Sequence, residues 1–135
     1  MFPDRSAEIQ IHRYTARQSR GQGDHALARA SYVKWVESLR QQNENTGGRL
    51  QRELEEAKRE YSEFVKSDPL YLCIRDAALA KVRQQPGILQ TELYKVLSQF
   101  DRADVSYAVY FAADHGILTR TKKGRTYLLD LPSHS

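Results

Sequence analysis

Pro86-Gly87-Ile88-Leu89-Gln90-Thr91-Glu92-Leu93, then Ser98-Gln99-Phe100-Asp101, then Val105-Ser106-Tyr107-Ala108-Val109 lay out the C-terminal half as a break, a short helix, a turn and a helix. Pro86-Gly87 breaks whatever helix precedes it. Gln90 to Leu97 makes a short helix with Leu93, Val96 and Leu97 facing inward. Ser98 to Asp101 is too short for anything but a turn, and Asp101 caps a third helix. Asp104, three residues on, adds a capping-box-like acid that suits the helix dipole. That helix buries Val105, Ala108, Val109 and Ala112, and His115-Gly116 ends it.

Downstream, Ile117 to Thr121 reads as a strand, Lys122-Lys123-Gly124 as a hairpin tip, and Arg125 to Leu129 as the returning strand. Upstream, Asp68-Pro69 opens a helix, with Asp68 as cap and Pro69 at the first helical position. Its apolar face carries Leu72, Ala78 with Leu79, and Val82, and it ends at Gln84-Gln85. Cys73, among Leu72, Ile74 and Ala77, is expected to be a small buried apolar side chain.

Working outward to the N-terminus, a helix runs from an Asp24 cap to about Gln42. Leu27, Ala30, Val33 or Tyr32, Val36 and Leu39 form its stripe, with Trp35 alongside. Asn43-Glu44-Asn45-Thr46-Gly47-Gly48 reads as a helix end and turn. A second helix then carries Leu50, Leu54, Ala57, Tyr61 and Phe64 at heptad spacing. The two form either an antiparallel hairpin or one long helix. Adjacent glycines cost about 2 kcal/mol in a helix interior, which favours the hairpin. The heptad residues are the expected dimerisation seam. Residues 1–23 form an arm, read as either a short helix or a flexible tail. The organisation is therefore an arm (1–23), a helical hairpin or coiled coil (24–66) and a C-terminal domain (67–135), mainly α with a small β-wing.

Helix, short helix, turn, helix, hairpin is the order of a winged helix. Pro86 to Leu93 resembles the opening of the helix-turn-helix in many bacterial winged-helix regulators. Val105 to Val109, followed by His115-Gly116-Ile117-Leu118, resembles their third helix and its glycine exit into the wing. The resemblance covers about half the chain and implies binding to duplex DNA, with the third helix in the major groove and the wing tip on phosphates or in the minor groove.

The charge distribution fits that partner. Net charge is only +4, but Arg120, Lys122, Lys123 and Arg125 fall close together with no acid between them, whereas residues 24–66 hold eight basic and eight acidic side chains. The expected DNA contacts are Lys122, Lys123, Arg125 and Arg120 on the wing. Arg102, Ser106, Tyr107 and Tyr110 are expected from the outer face of the third helix, with Phe111 partly exposed. Gln90 and Thr91 come from the start of the short helix, whose amides suit a phosphate. Two tyrosines, a serine, an aspartate and one arginine make a poor base-reading set, and an aromatic helix also suits protein contact. The readings are thus a homodimeric DNA-binding regulator, or an interaction subunit whose third helix docks on another protein.

Other classes find no footing. No apolar run approaches the length a membrane helix needs, and the start lacks a secretion signal, which implies a cytosolic chain. The single cysteine rules out an intrachain disulfide, and His12, His25, His115 and His134 are too scattered to gather a metal. No nucleophile triad, phosphate-binding glycine loop or paired carboxylate is present, so neither catalysis nor a cofactor is expected.

Overall fold

A computed structural model describes residues 4–132. The chain divides into two compact units, Met1–Val65 and Lys66–Ser135. Among the described residues there are six helices and one two-stranded antiparallel sheet, and no helix is long and apolar enough to cross a membrane.

The first unit is an up-down-up arrangement of α1 (Ser6–Gly21), α2 (His25–Asn45) and α3 (Gln51–Val65). The arm is therefore a full helix. Asp4 starts it by accepting from the Ser6 amide and hydroxyl at 2.9 and 2.6 Å. Its contact with α2 is made by small residues as much as by apolar ones. Ala16, Ser19, Ala28 and Ser31 are all buried, while Ile11 and Tyr14 stay exposed. Polar bonds along its length fix the pairing, Ser38 Oγ donating to Glu8 at 3.1 Å and the Arg5 amide to Gln42 at 3.3 Å.

Asp24 caps α2 through the Leu27 amide at 3.1 Å. The buried stripe of α2 is Ala28, Tyr32, Trp35 and Leu39. Leu27, Ala30 and Val33 face outward, one helical step from the expected face. The long-helix alternative is excluded, because Gly47 and Gly48 take φ values of +69° and +92° that few other residues adopt. Buried Asn43 fastens the turn, accepting from the Leu50 amide and donating to Gln51, both at 2.8 Å.

The α3 stripe does not form a free seam for a second copy. Leu54, Ala57 and Phe64 are buried within the chain, Leu50 is half-buried, and Tyr61 stacks on Tyr32 with centroids 5.6 Å apart. The same spacing that builds a coiled-coil seam also builds the inner face of a helical hairpin.

Glu60 of α3 ties the unit together, receiving Arg17 of α1 at 2.8 Å and the Tyr32 hydroxyl at 2.9 Å. Burial pushes the Glu60 carboxyl up, but the Arg17 and Tyr32 hydrogen bonds outweigh it and hold the group below the ordinary glutamate range. A lowered folded-state value stabilises the fold above the unfolded glutamate value, near pH 4.3, and that contribution disappears as pH falls through the lowered value. Arg17 is half exposed, so screening keeps the effect at about 0.5–1 kcal/mol. Glu60→Gln is accordingly expected to be less stable than the native chain at pH 7 and to close that gap progressively as pH falls below the ordinary glutamate range. Urea midpoints followed by Trp35 fluorescence measure this; a gap that stays constant over the range removes the role assigned to Glu60.

The second unit comprises α4 (Pro69–Gln84), α5 (Gln90–Val96), α6 (Arg102–Asp114), β1 (Thr119–Lys123) and β2 (Thr126–Asp130). Buried Asp68 caps α4 through the Leu70 amide at 3.2 Å. The α4 core face is Tyr71, Ile74, Ala78 and Val82 rather than one centred on Leu72, and this phase leaves Cys73 exposed instead of buried. On α5, Leu93 and the following Leu97 are buried, but Val96 is exposed. On α6, Val105, Ala108, Val109 and Ala112 are buried as their spacing predicts, and Phe111 is buried too rather than partly exposed. Asp101 stands at the N-cap of α6 without a side-chain cap bond.

The exit from α6 sets where the hairpin begins. Gly116, at φ +74°, lets the Ile117 amide reach back to Ala112 O at 2.8 Å and its own amide to Ala113 O at 3.0 Å. This is a Schellman end, and it delays the strand to Thr119. Ile88 and Leu89, between α4 and α5, join the sheet edge. The Gly87 amide donates to Leu129 O at 3.0 Å, the Leu129 amide to Ile88 O at 2.9 Å, and Leu89 bridges Leu128. The order of the second unit is helix, bridge, helix, turn, helix, hairpin.

Candidate nucleic-acid interface

The hairpin turns through Gly124 and Arg125 alone, with Lys123 paired to Thr126. Glycine at φ +63° in the first turn position, followed by a residue at negative φ, is the sign pattern of a type II′ turn. Lys122 and Lys123 therefore belong to β1 and not to the tip, and they point to opposite faces. Residues opposed across an antiparallel pair share a face, so Arg120 and Lys122 lie on the side of Leu129 and Tyr127. The Arg120 guanidinium sits 3.6 Å from the Tyr127 ring centroid and Lys122 Nζ 5.0 Å from the same ring. Arg120 also lies 5.7 Å from the ring of Tyr110 on α6.

Gln90 joins this face of the hairpin to the short helix. Its side chain is buried, and Oε1 accepts from Arg120 Nε at 3.2 Å while Nε2 donates to the Tyr94 hydroxyl at 2.7 Å. The Tyr94 ring in turn carries Arg102, from the first turn of α6, at 4.6 Å. Each cation is thus placed against an aromatic face, an attraction that orders the side chain while leaving its charge unneutralised. Among the described residues, ion pairs form elsewhere, as in Arg40 with Glu37 and Arg75 with Asp76, and none of Arg102, Arg120, Lys122, Lys123 or Arg125 is paired with a carboxylate.

Several expected contact residues fall outside this surface. Tyr107 turns inward; its hydroxyl donates to buried Asp68 at 2.8 Å and its ring packs edge-on against Tyr71 and Phe111. Tyr71 is buried, which pushes its hydroxyl above the usual tyrosine range, and it lies 3.1 Å from His115 Nδ1. These groups brace α6 on α4. Gln90 is interior, so its role is to place Arg120 and Tyr94. The Thr91 amide donates to the Thr126 hydroxyl at 3.3 Å and is not available to a phosphate. Ser106 is half-buried, whereas Tyr110 and Arg102 are exposed.

Two members were missed: Tyr94 and Tyr127. Tyr94 stands four residues after Gln90, one helical turn away, and Tyr127 faces Lys122 once the two-residue turn sets the register. Among the described residues, no group of three or more His, Cys, Asp or Glu side chains gathers to hold a metal. Comparison of the chain with family models, with characterised proteins and with solved structures returned no match.

Proposed function

We propose that the second unit is a winged helix-turn-helix and that the chain is a small DNA-binding regulator that contacts duplex DNA through α6 and the hairpin. The observation that carries this reading is the set of five cations, Arg102, Arg120, Lys122, Lys123 and Arg125, on the hairpin and the first turn of α6, with no carboxylate partner among the described residues. Arginines held on rings keep their charge and lose little entropy when a phosphate arrives. The exposed side chains of α6 include only one hydrogen-bonding fork, Arg102, so affinity comes mainly from the backbone of the duplex. The same geometry weakens the protein-docking alternative, since Tyr107 is engaged with Asp68 and leaves Tyr110 as the exposed aromatic of that helix.

Each phosphate neutralised contributes about −0.9 to the slope of log K against log salt. The four exposed cations, Arg102, Lys122, Lys123 and Arg125, each on a phosphate give a slope near −3.6, so raising salt from about 50 to 200 mM is expected to weaken binding roughly 150-fold. Fluorescence anisotropy with a labelled mixed-sequence duplex checks this. Absence of binding at the lowest salt would reject the DNA-binding reading and move the surface to a protein partner.

A further inference from the structure

We infer that Arg120 is the base-reading residue of this surface, that it recognises the major-groove edge of guanine, and that Gln90 holds it in position to do so. The inference rests on the DNA-binding reading above. Of the cations on the hairpin, Lys122, Lys123 and Arg125 are exposed, whereas Arg120 is half-buried and restrained on two sides. The Gln90 carboxamide oxygen takes its Nε–H, and the Tyr127 ring lies 3.6 Å from the guanidinium. Phosphate contact needs no such restraint, because any flexible cation can follow a phosphate. Restraint matters where two donors must meet two acceptors in a fixed plane. With Nε engaged, Arg120 keeps Nη1 and Nη2, which have no acceptor among the described residues. Two parallel donors match guanine O6 and N7, the commonest specific arginine contact in DNA.

The buried glutamine is otherwise hard to place. A side chain 4% exposed at the start of a seven-residue helix has to satisfy a carboxamide in the interior, and it does so with the two groups that carry the interface, Arg120 and Tyr94. Gln90 is thus a positioning residue. Tyr110, 5.7 Å from the Arg120 guanidinium, sets the guanidinium beside the third helix and not at the distal hairpin tip, which is the side that faces the major groove when the third helix occupies it.

The test uses the full chain with alternating dG-dC duplexes in which guanine is replaced by 7-deazaguanine. This removes the N7 acceptor and leaves backbone charge and minor groove unchanged. Native protein is expected to bind the substituted duplex about tenfold more weakly. Arg120→Lys, which keeps the charge, is expected to bind both duplexes within twofold. Gln90→Leu is expected to lose the discrimination while its salt slope stays near the native value. Equal binding of both duplexes by native protein, with a steep salt slope retained, overturns guanine recognition and leaves DNA binding standing. Discrimination that survives in Gln90→Leu overturns the positioning role. If neither duplex binds at all, the DNA-binding reading itself falls, and the flat titration distinguishes that from a wrong assignment of Arg120.

Discussion

A chain carrying Lys122→Ala, Lys123→Ala and Arg125→Ala together is expected to bind mixed-sequence duplex with a salt slope near −0.9, against about −3.6 for the native chain. The difference is three contacts at about 0.9 each, and the fourfold rise in salt from about 50 to 200 mM then weakens binding only roughly 3.5-fold. The three side chains are suited to this test because none supports the fold. All are exposed, Lys122 lies over a ring that Arg120 continues to cover, and Arg125 stands in a turn whose geometry depends on Gly124. Circular dichroism should therefore be unchanged. The wing has its assigned role only if the slope flattens. A variant that keeps the native slope places the phosphate contacts elsewhere on the chain, and one that loses all binding at the lowest salt makes these three cations indispensable to any encounter.

Much of the second unit was legible because its signals are local. Asp68-Pro69 starts a helix by capping chemistry, and Val105, Ala108, Val109 and Ala112 follow a helical period that the core then uses. The errors in that unit are errors of phase. Leu72 and Tyr71 are adjacent apolar residues, and nothing local says that the aromatic, with a hydroxyl for His115, turns inward and leaves Cys73 outside. Val96 looks like core by spacing, yet α5 is so short that Leu93 and Leu97 suffice to seat it. The helical period alone places Tyr107 outward just as it places Tyr110. What separates them is the buried carboxylate of Asp68, 39 positions upstream, which no local pattern can bring near.

The docking of α1 is harder to read because small and polar residues carry much of it. Helix α1 docks through Ile9, Ala16 and Ser19 and through hydrogen bonds to Ser38, Gln42 and Glu60, while Ile11 and Tyr14 remain exposed. Close approach of small side chains leaves almost no hydrophobic signature. The α3 stripe shows the opposite ambiguity. Its spacing was plain, but whether a heptad faces its own chain or a second copy depends on what else the chain can lay against it, and Tyr32 fills that place. The candidate interface divides in the same way. The cations of the hairpin are visible in the sequence as a cluster; the rings beneath Arg120, Lys122 and Arg102, and the buried amide that binds Arg120 to Tyr94, follow from strand register and tertiary approach.

Tyr32→Ala is expected to destabilise the first unit by about 3–5 kcal/mol, the range for deleting a buried aromatic ring, and to lower its unfolding temperature by roughly 12–40 °C. Tyr32 is fully buried, with ring centroids 5.1 Å from Phe64, 5.6 Å from Tyr61 and 5.9 Å from Trp35, so truncation removes the shared partner of three aromatics. The hydroxyl adds a smaller share by donating to Glu60 at 2.9 Å. Tyr32→Phe separates the two contributions. It keeps the ring stack and leaves Glu60 with Arg17, so the expected loss is only about 1 kcal/mol. Trp35 is the sole tryptophan and lies in the first unit, so its fluorescence reports that unit's unfolding directly. Equal losses for the alanine and phenylalanine variants would transfer the stabilisation from packing to the Glu60 hydrogen bond. An unchanged midpoint in Tyr32→Ala would mean that the aromatic stack is not what holds α2 and α3 together.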